Sequence, residues 1–157
     1  MAWRQEQSFL ITYIWYSVLH KRLREQAFLN AGVKIVLKDE RPDDKGEFRE
    51  EVLHYEGGIR EFVQYLNRHK TPIHEDVIYV SSVRENSEAE VAMQYNDGYT
   101  EDVQSFANNI STTEGGTHET GFKAALTKVI NDYARKHKMI KENDENLKGE
   151  DVREGLS

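Results

Sequence analysis

The chain has 157 residues, 38% of them hydrophobic and 31% charged, with a formal net charge of −7. That length suits one domain, or one domain and the end of another. The acidic balance excludes nucleic-acid binding by the surface as a whole, so any such contact must come from a local basic face. No cysteine is present, which excludes disulfides, thiolate metal sites and cysteine nucleophiles and fits a reducing, cytoplasmic setting.

Residues Met1 to Trp15 show no clear period. The longest apolar run, Phe9 to Leu19, is too short for a bilayer, which needs about 20 residues, so no membrane partner is expected. A signal peptide is disfavoured: Arg4 is offset by Glu6, and Leu19-His20-Lys21-Arg22 follows where a small-residue cleavage site would stand. Helical spacing begins near Tyr16, with Leu19, Leu23 and Ala27 on one stripe. Asn30-Ala31-Gly32 stops that helix, with Asn30 or Gly32 suited to a left-handed C-cap. Val33, Ile35 and Leu37 then alternate as a strand, Arg41 to Gly46 reads as a turn, and Phe48 to Tyr55 returns as a second strand of an antiparallel hairpin. Gly57-Gly58 breaks the strand. Ile59, Phe62, Val63 and Leu66 follow at helical spacing, up to Thr71-Pro72.

Val77 to Val83 is rich in β-branched residues, and Glu90 to Tyr95 alternates with Val91, Met93 and Tyr95 on one face. Asn96-Asp97-Gly98 is a hairpin signal, with Val103 to Ile110 as the returning strand and Ser111 to His118 as a polar loop. The clearest helix spans Thr120 to Ile140, where Phe122, Ala125, Leu126, Val129, Ile130 and Tyr133 form one apolar stripe. That stripe is expected to cover Val91, Met93 and Tyr95, and Phe122→Ala or Leu126→Ala to cost about 2–5 kcal/mol. Gly149-Glu150-Asp151 opens a further helix in an acidic C-terminal stretch. No internal repeat is present. The fold class is α+β, a mostly antiparallel sheet with helices packed on one face.

No independent catalytic set emerges. None of the six histidines stands at a metal-ligand spacing such as HExxH. His69 and His74, near Glu75 and Asp76, read as a solvated loop. Thr117 beside His118 could be read as a nucleophile and its base, but adjacent loop residues seldom aim at each other. The plainer reading is a glycine turn feeding the helix, with Thr117 or Thr120 capping it. Gly115-Gly116 lacks the GxxxxGK[ST] context of a phosphate loop. Asn96, Asp97, Asn108 and Asn109 take structural turn roles. The one basic surface is on the long helix: Lys123, Lys128, Arg135 and Lys138 lie opposite the apolar stripe. With Lys136 and Asp132 the segment carries five positive charges and one negative, a net of +4. It reads either as a solvated face or as a phosphate-backbone contact that neutralises charge without reading sequence.

Six segments, in order, resemble the B subunit of bacterial type IIA DNA topoisomerases, gyrase and topoisomerase IV. They are Arg22-Leu23-Arg24-Glu25-Gln26-Ala27-Phe28-Leu29-Asn30, His54-Tyr55-Glu56-Gly57-Gly58-Ile59, Gln94-Tyr95-Asn96-Asp97-Gly98, Phe106-Ala107-Asn108-Asn109-Ile110, Glu114-Gly115-Gly116-Thr117-His118 with Gly121-Phe122, and Gly149-Glu150-Asp151-Val152-Arg153-Glu154-Gly155-Leu156. They do not separate gyrase from topoisomerase IV. The resemblance implies an unmatched start over 1–15, the end of a GHKL-type ATPase domain over 16–53, and a transducer domain over 54–157, truncated on its C-terminal side. It implies a piece of an ATP-dependent enzyme that relays ATP-driven gate closure to a DNA-cleaving core and is not expected to act alone. ATP and magnesium serve the intact family, whereas the nucleotide motifs, the phosphate-binding lysine and the cleavage residues are expected outside this stretch. The implied partners are double-stranded DNA, the topoisomerase's A subunit, and a second B subunit in a homodimer. The resemblance also favours a duplex-facing helix, because two transducer domains flank the passage of the transported duplex. A stand-alone DNA-backbone-binding module, or one that docks on a topoisomerase, is the alternative.

Overall fold

The computed structural model describes the backbone of residues 2–42 and 45–157, and the side chains of 15–42 and 45–157. Its elements run α1 (Ala2–Leu29), β1 (Lys34–Asp39), β2 (Arg49–His54), α2 (Gly58–Leu66), β3 (Ile78–Arg84), β4 (Ser87–Met93), β5 (Phe106–Ala107), β6 (Ile110–Ser111), α3 (Thr117–Lys136) and α4 (Gly149–Arg153). The α+β class holds. The strands pair as three two-stranded sheets, β1-β2, β3-β4 and β5-β6. Contacts divide the chain into a first unit up to Tyr65 together with Ser81–Ala92, and a second of Leu66–Val80 and Met93–Ser157.

In the first unit α1 begins well before Tyr16, because no glycine or proline interrupts residues 2–29. The β1-β2 ladder is antiparallel, with Ile35 opposite Leu53 and Leu37 opposite Glu51. Strand alternation turns Leu37 and Leu53 inward, where both are buried, and leaves the opposed Val36 and Val52 half exposed. The turn expected over Arg41 to Gly46 lies partly outside the described residues. Phe28, 1% exposed, is the hub of the core. Its ring stacks on Tyr55 with centroids 3.7 Å apart and on Phe62 at 4.9 Å, and meets Tyr65 tilted at 5.4 Å. Burying such a ring contributes roughly 1.5–3 kcal/mol. Glu51 shares the inward parity of Leu53, and its charge is met there: Arg24 Nη2 donates to its Oε1 at 3.1 Å, and His20 Nε2 lies 2.7 Å from the same oxygen.

The β3-β4 connection is the two-residue turn Glu85-Asn86, with Glu85 in the left-handed region at φ 51°. Neither residue is glycine or proline, so the usual punctuation is missing from the sequence. The expected hairpin at Asn96–Gly98 does not form. Instead the 94–97 segment lies between two other stretches. Ile73 N–H donates to Tyr95 O and Asp97 N–H to Thr71 O on one side. On the other side Gln94 and Ser157 exchange both backbone bonds and Asn96 N–H donates to Gly155 O. Gly98 N–H closes a local turn onto Asn96 Oδ1 at 2.9 Å, the self-bonding role expected of that asparagine. The real short hairpin is β5-β6, turned by Asn108 and Asn109 at φ 50° and 62°. Both left-handed residues are what a type I′ turn requires.

Helix α3 starts three residues earlier than its periodicity suggests, with Gly116 at the N-cap and no side-chain cap, so neither Thr117 nor Thr120 caps it. Its apolar stripe is not covered as expected: Val129 and Tyr133 are more than half exposed, and the buried positions are Asn131 and Ala134. Asn131 is fixed there because Nδ2 donates to Leu147 O at 2.9 Å and Oδ1 accepts from Leu147 N–H at 2.8 Å. The helix ends in a Schellman motif, with Met139 N–H donating to Ala134 O and Lys138 N–H to Arg135 O. Lys138 occupies the left-handed position of that motif at φ 56°.

Candidate functional site

The basic face of α3 divides once side chains are placed. Lys123 Nζ lies 2.8 Å from Oε1 of Glu119, one turn back on the same helix, and 2.9 Å from Oε1 of Glu101. Arg153 of α4 holds the other oxygen of Glu101 through Nε at 2.5 Å. Arg135 is drawn down to the chain beyond its helix: it donates to Asn146 Oδ1 at 2.9 Å and to the carbonyls of Lys141 and Asp144 at 2.8 and 2.6 Å. Lys128 is exposed on the helix. Lys138, exposed too, sits beyond the last helical turn, so it does not share the helical wheel on which the sequence placed it. Lys128 and Lys138 make no ion pair among the described residues. A groove of about 560 Å³ is lined by Lys123, Thr127, Lys128, Asn131, Asp132 and Arg153 among others.

Electrostatics follow the geometry. Glu101 is held below the usual carboxylate range, first by Lys123 and then by Arg153. Glu119 is held low by Lys123 and by the Ser105 hydroxyl. The Lys123 ammonium is correspondingly pushed up, with Glu119 the larger cause and Glu101 the next.

Ser105, Thr112 and His118 form a cluster that sequence spacing did not reveal. Ser105 Oγ donates to Glu119 Oε2 at 2.7 Å, the Ser105 and Thr112 hydroxyls meet at 2.7 Å, and Thr112 Oγ1 lies 3.2 Å from His118 Nε2. A carboxylate only accepts, so the chain of bonds has one direction: His118 Nε2–H to Thr112, Thr112 to Ser105, Ser105 to Glu119. His118 therefore donates here. It is not placed as the base of a nucleophile, and its partner is Thr112 rather than the adjacent Thr117. The same contact explains Gly116, where a Cβ would come within 2.6 Å of the His118 ring. The signal for this cluster was present only as hydroxyls and a histidine around a glycine pair. The β5-β6 hairpin brings Ser105 and Thr112 together.

His74 also has a structural place. Its Nε2 accepts from Tyr95 N–H at 3.0 Å, so Nδ1–H donates to Asp76 O at 2.7 Å. Among the described residues no group of three His, Cys, Asp or Glu side chains is placed to hold a metal ion. Gly115 and Gly116 turn into α3 beside Glu119 and His118. Among the described residues no helix is long and apolar enough to cross a membrane.

The fold is that of the ATPase region of bacterial gyrase B proteins. It superimposes on the 43K ATPase domain of Thermus thermophilus gyrase B, solved in complex with an aminocoumarin, with a TM-score of 0.73 and 35% identity over 89% of this chain and 37% of that one. The B-subunit of the DNA gyrase from Myxococcus xanthus shares the fold at a TM-score of 0.71 and 20% identity, over 90% of this chain and 37% of that chain. The DNA gyrase B family model matches residues 58–157, and the chain belongs to that family. It is 58% identical to the DNA gyrase B subunit of Clostridium acetobutylicum over 143 residues, and 54% identical to that of Halalkalibacterium halodurans over 142. The chain spans 90% of its own length in both matches and 22% of the length of each relative.

Proposed function

We propose that this chain is a segment of the B subunit of an ATP-dependent type II DNA topoisomerase, and that it relays ATP-driven closure of a dimeric gate to a DNA-cleaving core. In this reading residues 16–53 close the ATPase domain and 54–157 belong to the transducer. The relay is a rigid-body movement between two states. The observation that carries the reading is the family match over 58–157, on a fold shared with the Thermus gyrase B ATPase domain. ATP and magnesium are bound elsewhere in the intact protein, which pairs with a second copy and with the A subunit in the cytoplasm.

The basic end of α3 faces double-stranded DNA. Lys128 and Lys138 supply phosphate contacts, and Lys123 lines the same groove as Lys128 and Arg153. Arg135, engaged with backbone carbonyls, holds the chain after α3 in place. Contacts of this kind bind without sequence preference and weaken with salt.

The test is a hybrid in which residues 16–157 replace the matching segment of the Clostridium acetobutylicum gyrase B protein. Paired with its gyrase A partner, the hybrid should supercoil DNA at the expense of ATP. A folded hybrid that hydrolyses ATP at the parental rate and leaves DNA relaxed would refute the relay.

A further inference from the structure

Lys123 can leave its ion-pair network without stranding either carboxylate. Its two carboxylates each keep a second partner. Glu101 is still held by Arg153 Nε at 2.5 Å, and Glu119 still accepts from the Ser105 hydroxyl at 2.7 Å. Those partners are themselves anchored, Arg153 on α4 and Ser105 against Thr112. An unpaired charge in a partly buried place is costly, so most such networks resist opening. This one can open at Lys123. The Lys123 side chain is 25% exposed and borders the same groove as Lys128 and Arg153.

We infer that Glu101 and Glu119 mask Lys123, and that a duplex phosphate entering the groove takes the ammonium from Glu101. The inference rests on the duplex-facing reading of α3 and adds a regulation to it. Arg153 retains Glu101 after the exchange, so the loop carrying Glu101 stays tied to α4 while Lys123 changes partners. A phosphate must displace a carboxylate already paired, which makes contact at Lys123 conditional on a close approach by DNA. Lys128, with no ion pair among the described residues, makes contact unconditionally.

Two measurements test this on the whole chain. The first needs no DNA: the rate of acetylation at each lysine by N-acetoxysuccinimide, read by mass spectrometry. Lys123 should react several-fold more slowly than Lys128, and Glu101→Gln should bring it part of the way to the Lys128 rate, because Glu119 still holds it. Equal rates in the unaltered chain would show that no mask exists. The second is binding to a 30-base-pair duplex across a salt series. Glu101→Gln should raise affinity more than the surface control Glu114→Gln, which changes the net charge equally. Lys123→Gln should make the salt slope shallower by about 0.9, one phosphate contact fewer. In a Lys123→Gln background the two substitutions should become equivalent. Glu119→Gln, which leaves the Glu101–Arg153 bridge intact, should act in the same direction and covers the case in which Glu101→Gln does not fold. No duplex binding by any of these proteins at low salt sinks the duplex-facing reading and the exchange with it. Binding by all of them with equal affinity and slope sinks the exchange alone.

Discussion

Asn67 and Gln94 stand 27 positions apart and meet side chain to side chain: Nδ2 of Asn67 donates to Oε1 of Gln94 at 3.0 Å, and both residues are buried. Gln94 Nε2 in turn donates to the carbonyls of His74 and Glu75 at 3.1 and 3.2 Å. Asn96 Nδ2 donates to Asn67 Oδ1 at 3.3 Å and to Ser157 Oγ at 3.2 Å. Three amides and a hydroxyl satisfy one another where water is excluded, which is the condition under which buried polar groups are tolerated.

Gln94→Leu should therefore be strongly destabilising although it adds apolar bulk. It leaves the Asn67 amide and two backbone carbonyls without partners, at about 1–3 kcal/mol for each stranded group. Urea unfolding is the check. A midpoint equal to that of the parent would mean that the network contributes nothing.

Gly155 has φ +70°, and a Cβ there would lie 2.4 Å from Asn96 O and 2.8 Å from Gly98 O. Gly155→Ala combines left-handed strain of about 1–2 kcal/mol with a backbone clash that cannot relax without breaking the Asn96–Gly155 bond. Gly32 has a similar φ of +81° with nothing within 4 Å, so Gly32→Ala should cost only the strain. Thermal or urea melts should rank Gly155→Ala well below Gly32→Ala. The reverse order would rule out the packing argument.

Lys138 fills a left-handed position that favours glycine. Lys138→Gly should stabilise the chain by about 1 kcal/mol, because an L side chain pays roughly that much to sit there. It should also weaken duplex binding if Lys138 meets phosphate. Opposite signs in a melt and a binding curve would separate the two roles, and a destabilised Lys138→Gly would contradict the C-terminal geometry of α3.

The fold should lose stability in acid through three named carboxylates. Glu51 is held below its usual range chiefly by His20, and Glu101 and Glu119 chiefly by Lys123. Depressed folded values mean that the unfolded chain takes up protons first. The stability they confer is complete above the ordinary value of 4.5 and disappears as pH falls through their lowered folded values. Urea midpoints should fall between pH 5 and pH 3, and the fall should be shallower when all three are replaced by glutamine. An equally steep fall would place the acid sensitivity elsewhere.

Local grammar determined much of this molecule. Alternation placed β1 and β2 and turned Leu37 and Leu53 inward. Glycines at 57 and 58 ended one element and began α2. The periodic stretch after the glycine pair at 115 and 116 gave α3, and the segment motifs gave the family. Period and punctuation are properties of neighbouring residues, so the sequence carries them. The tertiary structure decided which polar groups are free. Lys123 and Lys128 look alike on a helical wheel, yet one is paired with Glu101 and Glu119 and the other is not. The Asn96–Gly98 signal formed no hairpin because its backbone is bonded to Thr71–Ile73 and Gly155–Ser157, and Glu85-Asn86 turned without a glycine because β3 and β4 pair around it. Glu119 is an i,i+4 neighbour of Lys123 and lies within reach of the sequence, but Glu101, Thr71–Ile73 and Gly155–Ser157 are far along the chain from the groups they hold, and no local pattern encodes a partner that only the folded chain brings near.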